Sequence, residues 1–360
     1  MQPTAKIQYV QLLSKTDKHK NKNNRSLSMN IPSAKYLKVK AANRLESGKD
    51  PQKVVLVYSA IAALSALAVN VIQFILDGQI SKTGGLQNIG TRSMLSTLNA
   101  VLPLIQTVVL MCLALGYTAA MLRIARRQYA SEKTLKAGFE RFWVLLRTRL
   151  LLMLIYFAIA FGLSYLAMAI YMLTPLSSGL VELVLPLASA GTFTPEMLLS
   201  DEALLYSVYD ALIPMMIIYL VLLIPVIWAV SYRYRLVNYF LIDQPGLGAF
   251  GALRESKQKM KGNIKCLFKI DLSFWWYYLL RGLSASLVYV DLILMIFGIR
   301  LPLSDTVQYF VVVILYLGSD FALNYFFLNR VEMTYALFYD TLNPQQPPQQ
   351  GAILGNIFQM

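Results

Sequence analysis

Long stretches without a charged side chain alternate with basic segments along this chain. Residues 54–76, 93–122, 150–181 and 211–232 hold no Asp, Glu, Lys or Arg. Each reaches or exceeds the roughly 20 residues that an α-helix needs to cross about 30 Å of hydrocarbon. Two further apolar stretches, about 270–298 and 305–329, are interrupted by charges. Backbone polar groups find no water in a bilayer core, so all six stretches are predicted to be helices. No strict alternation of apolar and polar residues supports barrel strands. The expected spans are about 54–76, 95–122, 150–174, 205–232, 270–298 and 305–331. The fold class is all-α: a polytopic integral membrane bundle of six transmembrane helices.

The charges then orient the bundle. Residues 1–53 hold twelve Lys and Arg, 77–92 hold two, 123–149 eight, 177–210 none and 233–269 eight, with Arg300 in the last short turn. Lys/Arg bias selects the cytoplasmic side, so the N-terminus and the segments 123–149 and 233–269 are expected inside. Six crossings return the C-terminus to the same side, giving an N-in/C-in protein of the cytoplasmic membrane. Composition agrees: 57% of the 360 residues are hydrophobic and 14% are charged, against about 25% charged in soluble domains. The net charge of +14 is bunched in a few segments. An ordinary soluble globule, a disordered chain and a disulfide scaffold are thereby excluded.

Three parts follow: a basic segment 1–50, disordered around Lys15–Asn24; a membrane domain 51–342; and a flexible tail 343–360. No cleavable signal is visible before the first span, and Met29 is a second candidate start. Lys35–Leu45 reads either as a basic amphipathic helix on anionic lipid or as a solvated tail. In the segment 124–148, Leu135, Phe139 and Phe142 recur at helical spacing among Arg126, Arg127, Lys133 and Lys136. In 245–268, Pro245 and Gly246 break the preceding helix, a helix runs from about 248 to 261, and Gly262-Asn263 ends it.

Lys257, Lys259, Lys261, Lys265 and Lys269, with Arg126 and Arg127, are candidate contacts for anionic lipid headgroups, or for a membrane or cytoplasmic protein partner of acidic character. The plainer reading is that they satisfy the positive-inside rule and nothing more.

Catalytic chemistry is poorly represented. Gly246, Gly248 and Gly251 spell G-x-G-x-x-G with Asp271 beyond them, but a dinucleotide site needs a buried strand before that pattern, and here a membrane helix precedes it. Cys112 and Cys266 have no partner at metal or redox spacing. His19 sits among Lys18, Lys20 and Lys22, with nothing to fix a tautomer. No cofactor, no metal, no nucleic-acid partner and no enzymatic activity are expected.

Arg281, Asp291 and Asp320 fall inside apolar stretches. Each would cost a few kcal/mol or more if left unpaired in the bilayer. Arg281 lies nineteen residues before Arg300 and Asp320 twenty after it, so in a helical hairpin they share one depth. They are expected to form an intramembrane ion pair. Asn324, four residues beyond Asp320, would complete the hydrogen bonding, and Asp291 would lie nearer the external interface.

The runs SYRYRLVNYFLIDQP (231–245), ALRESKQKMKGN (252–263) and LFKIDLSFWWYYLL (267–280) resemble the bacterial membrane-protein family known as domain of unknown function 975. The elements in common are Asp243 and Pro245 in a turn, Ser256, Met260 and Gly262 at a helix end, and Leu272-Ser273-Phe274 opening the next span. TYALFYDTL (334–342) is similar to the family's closing segment. The commoner family pattern has Gly-Trp after Leu-Ser-Phe, where this chain has Trp275-Trp276. The resemblance implies a polytopic membrane protein and supplies no catalytic residue.

Two roles are compatible with these residues. One is a non-enzymatic scaffold, assembly or envelope-maintenance component whose basic loops contact lipid or a partner. The other is a small-solute or lipid transporter built on an Arg281–Asp320 layer.

Overall fold

The computed structural model describes residues 32–46, 50–82, 89–189, 202–290 and 304–344. Among the described residues every regular element is helical and there is no strand. In order they are α1 (Ala34–Glu46), α2 (Asp50–Lys82), α3 (Ile89–Ala125), α4 (Ala137–Glu140), α5 (Phe142–Leu173), α6 (Ser178–Ser189), α7 (Glu202–Tyr234), α8 (Val237–Asp243), α9 (Gly248–Met260), α10 (Ile264–Ser273), α11 (Trp275–Ser286), α12 (Asp305–Leu323) and α13 (Asn329–Leu342). A π-helical turn, Asn324–Leu328, joins α12 to α13.

Five helices are long and apolar enough to cross a membrane: Pro51–Lys82, Gly90–Ala125, Phe142–Leu173, Tyr206–Asp243 and Thr306–Leu342. They coincide with five of the six expected stretches. The other, 270–298, is not one continuous helix over its described part. It starts within α10, breaks at Phe274 and resumes as α11, while 291–298 lie outside the described residues. The break leaves the Ser273 carbonyl without the intrahelical partner it would otherwise have. Lys38 supplies a substitute. Its ammonium donates to that oxygen at 2.9 Å and stands 4.4 Å from the centre of the Phe274 ring.

The described chain divides into two compact units. The first draws on Met1–Ala63, Met121–Ala130 and Cys266–Met360. Its core is α13, where Met333 through Tyr339 are all buried. Helix α1 packs on it, burying Leu37 and Ala41, an i, i+4 pair that forms a narrow apolar stripe on an otherwise basic helix. Ser33 caps α1 by accepting the Tyr36 N–H at 3.3 Å. On the far side of the sequence, Arg126 Nε donates to Asp340 Oδ1 at 3.0 Å.

The second unit comprises Leu64–Ala120 and Ser131–Lys265. Here α5 packs along α7, and the Tyr171 hydroxyl donates to the Ala211 carbonyl at 2.7 Å. Helix α9 lies against α5, α7 and α8, and Ser256 Oγ donates to the Arg233 carbonyl at 2.9 Å. The segment 124–148 is not one amphipathic helix. A 3-10 turn (Glu132–Lys136) leads into the four-residue α4, and Arg141 interrupts the path before α5. Leu135 is buried, while Phe139 is exposed. Two close approaches set this geometry: a Cβ on Gly138 would fall 1.8 Å from the Cys112 carbonyl oxygen, and one on Gly116 would fall 2.1 Å from that of Leu135. Only glycine admits such contacts. Arg141 in turn donates to the carbonyls of Leu241 and Ile242, oxygens that α8 leaves open at its end.

Protein covers little of the long helices. In the most apolar window of Tyr206–Asp243 only 6% of residues are buried, and in that of Phe142–Leu173 11%. Apolar surface on this scale has no stable place in water. Together with the helix lengths, it points to a multi-pass membrane protein.

Candidate functional site

Two groups of residues carry chemistry. The first is a polar layer in the unit built around α13. Asp320 and Asn324 stand four apart, and Asn324 Nδ2 donates to Asp320 Oδ2 at 2.8 Å. Arg281 Nη1 donates to the Tyr277 hydroxyl, also four residues away, at 3.3 Å. Among the described residues no direct salt bridge joins Arg281 to Asp320. Each nevertheless lies in the other's electrostatic neighbourhood, which also takes in Tyr58, Tyr277 and Glu332. Ser284 and Ser319 share a hydrogen bond at 2.6 Å and tie α11 to α12 close by. Asp291 lies outside the described residues.

The π-helical turn begins at Asn324, directly after this layer. An inserted residue of that kind rotates everything beyond it and is frequent at functional sites. Here it separates the half-buried Asp320 face from α13, whose polar groups are spent inside the core. The Tyr335 hydroxyl donates to Asp271 and is hydrogen-bonded to the Tyr278 hydroxyl, and Thr334 Oγ1 donates to the Arg330 carbonyl at 2.6 Å. Trp276 meets Phe327 edge to face, with ring centres 4.8 Å apart. The layer offers one cation, two carboxylates and several hydroxyls, enough to hold a proton or orient a small polar solute. Among the described residues no three His, Cys, Asp or Glu side chains gather as a metal site would require.

The second group is basic. Lys257, Lys261 and Lys265 are exposed and Lys259 is half-buried, while Met260 among them is buried; in the other unit Lys269 is exposed, with Leu267 and Ile270 buried beside it. The ammonium groups are therefore presented outward by a framework that hides the apolar positions. Burial pushes the Cys266 thiol up, against the opposing pull of Lys269, and burial lowers Lys38.

The adjacent arginines Arg126 and Arg127 separate sharply. Arg126 is committed to Asp340. Arg127 is exposed and has φ +61, the one non-glycine residue with positive φ among those described. It ends α3 in a left-handed cap: its N–H reaches the Ile124 carbonyl at 3.0 Å and the next N–H, of Gln128, reaches Arg123 at 2.9 Å. Glycine is the usual residue at this position, and an L side chain there costs about 1–2 kcal/mol.

Sequence reasoning named Arg281, Asp320 and Asn324 but missed Tyr58, Glu332 and the Asp271–Tyr335–Tyr278 cluster. Spacing within one helix could not place residues from distant helices beside them. It also grouped Arg126 with Arg127, since no local signal distinguishes a paired arginine from a displayed one.

An all-α protein with five helices fit to cross a membrane, a polar layer and a strongly basic surface is a multi-pass membrane protein by its construction. The family model described as Protein of unknown function (DUF975) matches residues 52–346. The chain belongs to that family. No curated protein and no solved structure matches it.

Proposed function

We propose that this protein is a non-enzymatic scaffold of the cytoplasmic membrane, with six crossings and its basic end inside, that engages anionic lipid or an acidic partner through exposed lysines. The carrying observation is the disposition of Lys257, Lys261, Lys265 and Lys269: all four are exposed, and among the described residues no carboxylate forms a salt bridge with any of them. Charges held outward in this way attract an anionic surface, with about 1 kcal/mol for each Lys or Arg near it. In this reading six crossings return the positive segments to one side.

Replacing these four lysines by glutamine tests the proposal. The variant should insert normally but retain several-fold less anionic lipid, or less crosslinked partner, on purification from native membranes. Unchanged retention at low and high salt would count against the proposal.

A second reading is transport of a small solute or lipid through the Arg281–Asp320 layer. What favours it is the π-helical turn beginning at Asn324, next to Asp320, with Arg281 in its electrostatic neighbourhood. Exchanging the two charges, Arg281→Asp with Asp320→Arg, should preserve insertion and abolish transport. A transport or growth phenotype that survives the exchange would remove this reading.

A further inference from the structure

A cavity of about 320 Å³ opens in the unit built around α13, where α1, the start of α2 and the π-helical turn meet. Glu46 lines it from the end of α1, Gln52 from the first turn of α2, Tyr325 and Phe326 from the π-helical turn, and Arg330 from the start of α13. Its volume lies at the lower end of the range typical of ligand sites. One carboxylate and one guanidinium therefore border the same small space. Both side chains are exposed, and among the described residues no salt bridge joins them. A zwitterionic ligand needs one charge of each sign from its site, and both are present.

The aromatic wall indicates what kind of cation would fit. The Tyr325 and Phe326 rings meet at 78°, with centres 5.1 Å apart. Rings set at such an angle form a corner, and ring faces attract an alkylammonium. The backbone beneath them is the π-helical turn Asn324–Leu328, a departure from α-helix that is frequent at functional sites.

The depth of the cavity indicates what kind of anion would fit. Pro51, which also lines it, opens the span-length helix Pro51–Lys82, and Phe326 stands twenty residues after the start of Thr306–Leu342. About 20 helical residues cross the hydrocarbon. Both helices thus bring the cavity to the level at which hydrocarbon gives way to headgroups, where phosphate is the common anion.

We infer that the Glu46–Arg330 cavity binds a phosphate ester that carries an ammonium, of the phosphoethanolamine type. Arg330 pairs with the phosphate oxygens, to which the Gln52 amide can also donate. Glu46 and the Tyr325–Phe326 corner take the ammonium. The same chemistry would accept the headgroup of a zwitterionic phospholipid or the free ester. This goes beyond the exposed-lysine proposal in both place and ligand, and the two can fail separately.

The experiment uses the full chain in two arms. In the lipid arm, protein in nanodiscs holding equal amounts of phosphatidylethanolamine and phosphatidylglycerol is released into the gas phase, and native mass spectrometry identifies the lipids retained. In the soluble arm, O-phosphoethanolamine or glycerol 3-phosphate, which lacks the ammonium, is titrated into detergent-purified protein and the thermal midpoint is followed. Glu46→Gln and Arg330→Gln each remove one charge from an exposed position, so the unliganded midpoint should hold. Glu140→Gln and Lys257→Gln, in the other unit, are controls that remove the same charges elsewhere.

The expected result is a preference of about tenfold or more for the ethanolamine ester over the glycerol ester in at least one arm, the worth of one charge-assisted contact. Glu46→Gln should erase the preference while leaving residual binding of either ester, which a merely structural role would not do. Arg330→Gln should weaken both esters about tenfold. The controls should leave binding within about twofold, as remote screened charges do. A preference confined to the lipid arm identifies a phospholipid headgroup, and one in the soluble arm identifies the free ester. No preference in either arm, or a preference that survives Glu46→Gln, would overturn the inference. Retention of phosphatidylglycerol alone would overturn it as well, while leaving the exposed-lysine proposal standing.

Discussion

Helix α13 and helix α7 both belong to span-length helices, yet they live in opposite surroundings. In α13 nearly every residue from Val331 to Leu342 is buried by other parts of its unit. In α7 the side chains of Met216, Ile217, Leu220, Val221, Ile224 and Trp228 are all exposed. The order of hydropathy is the reverse of the order of burial. The most apolar window of the span containing α7 has mean hydropathy 2.6 with 6% of its residues buried, while that of Thr306–Leu342, which ends in α13, has 1.8 with 22%. Hydropathy measures transfer out of water and says nothing of what replaces the water. Around α7 the replacement is lipid, which asks only for hydrocarbon. Around α13 it is protein, which asks for shape and for a partner at each polar atom. Tyr335, Thr334 and Asp340 have such partners.

The contrast can be broken at its strong end first. Phe338 is fully buried, and Phe338→Ala should destabilise the protein by about 3–5 kcal/mol through lost packing and the cavity left behind. The thermal midpoint of purified protein would fall sharply; a midpoint that held would mean α13 is not a core. Tyr335→Phe removes only the hydroxyl that reaches Asp271 and Tyr278. Its expected loss is about 2 kcal/mol, the scale of a hydrogen bond to a charged group. Rescue by Asp271→Asn, measured as a double-mutant cycle, would sharpen the assignment. At the weak end stands Ile217→Ala. Ile217 is 55% exposed, so the midpoint should move by less than about 0.5 kcal/mol equivalent. A large fall there would show that another protein surface, not lipid, covers α7.

Much of this was legible in the sequence because one physical cause dominates it. Charge-free stretches of 22 or more residues announce helices, and four of them were read directly from residue types. The family resemblance also pointed to Pro245 and Gly262, where the structure has a 3-10 turn and a positive φ of 87°. What stayed hidden depended on distant partners. TYALFYDTL reads only as similar to the family's closing segment, beyond the last expected span, and its role as a core follows from α1 packing on it and from Arg126 reaching Asp340. The break at Phe274 is equally silent. Nothing near it forbids a helix, and the compensating cation, Lys38, is 235 residues away.

The docking of α1 on α13 has a consequence for assembly. The ribosome delivers these two helices at nearly opposite ends of the membrane domain, with the spans threaded between them. Leu37 and Ala41 therefore wait, uncovered, until synthesis reaches α13. Long-range closure of that kind is slow and comes late. The unit built around α13 can finish folding only after the intervening helices have left the translocon, so its closure reports that the whole bundle has been delivered.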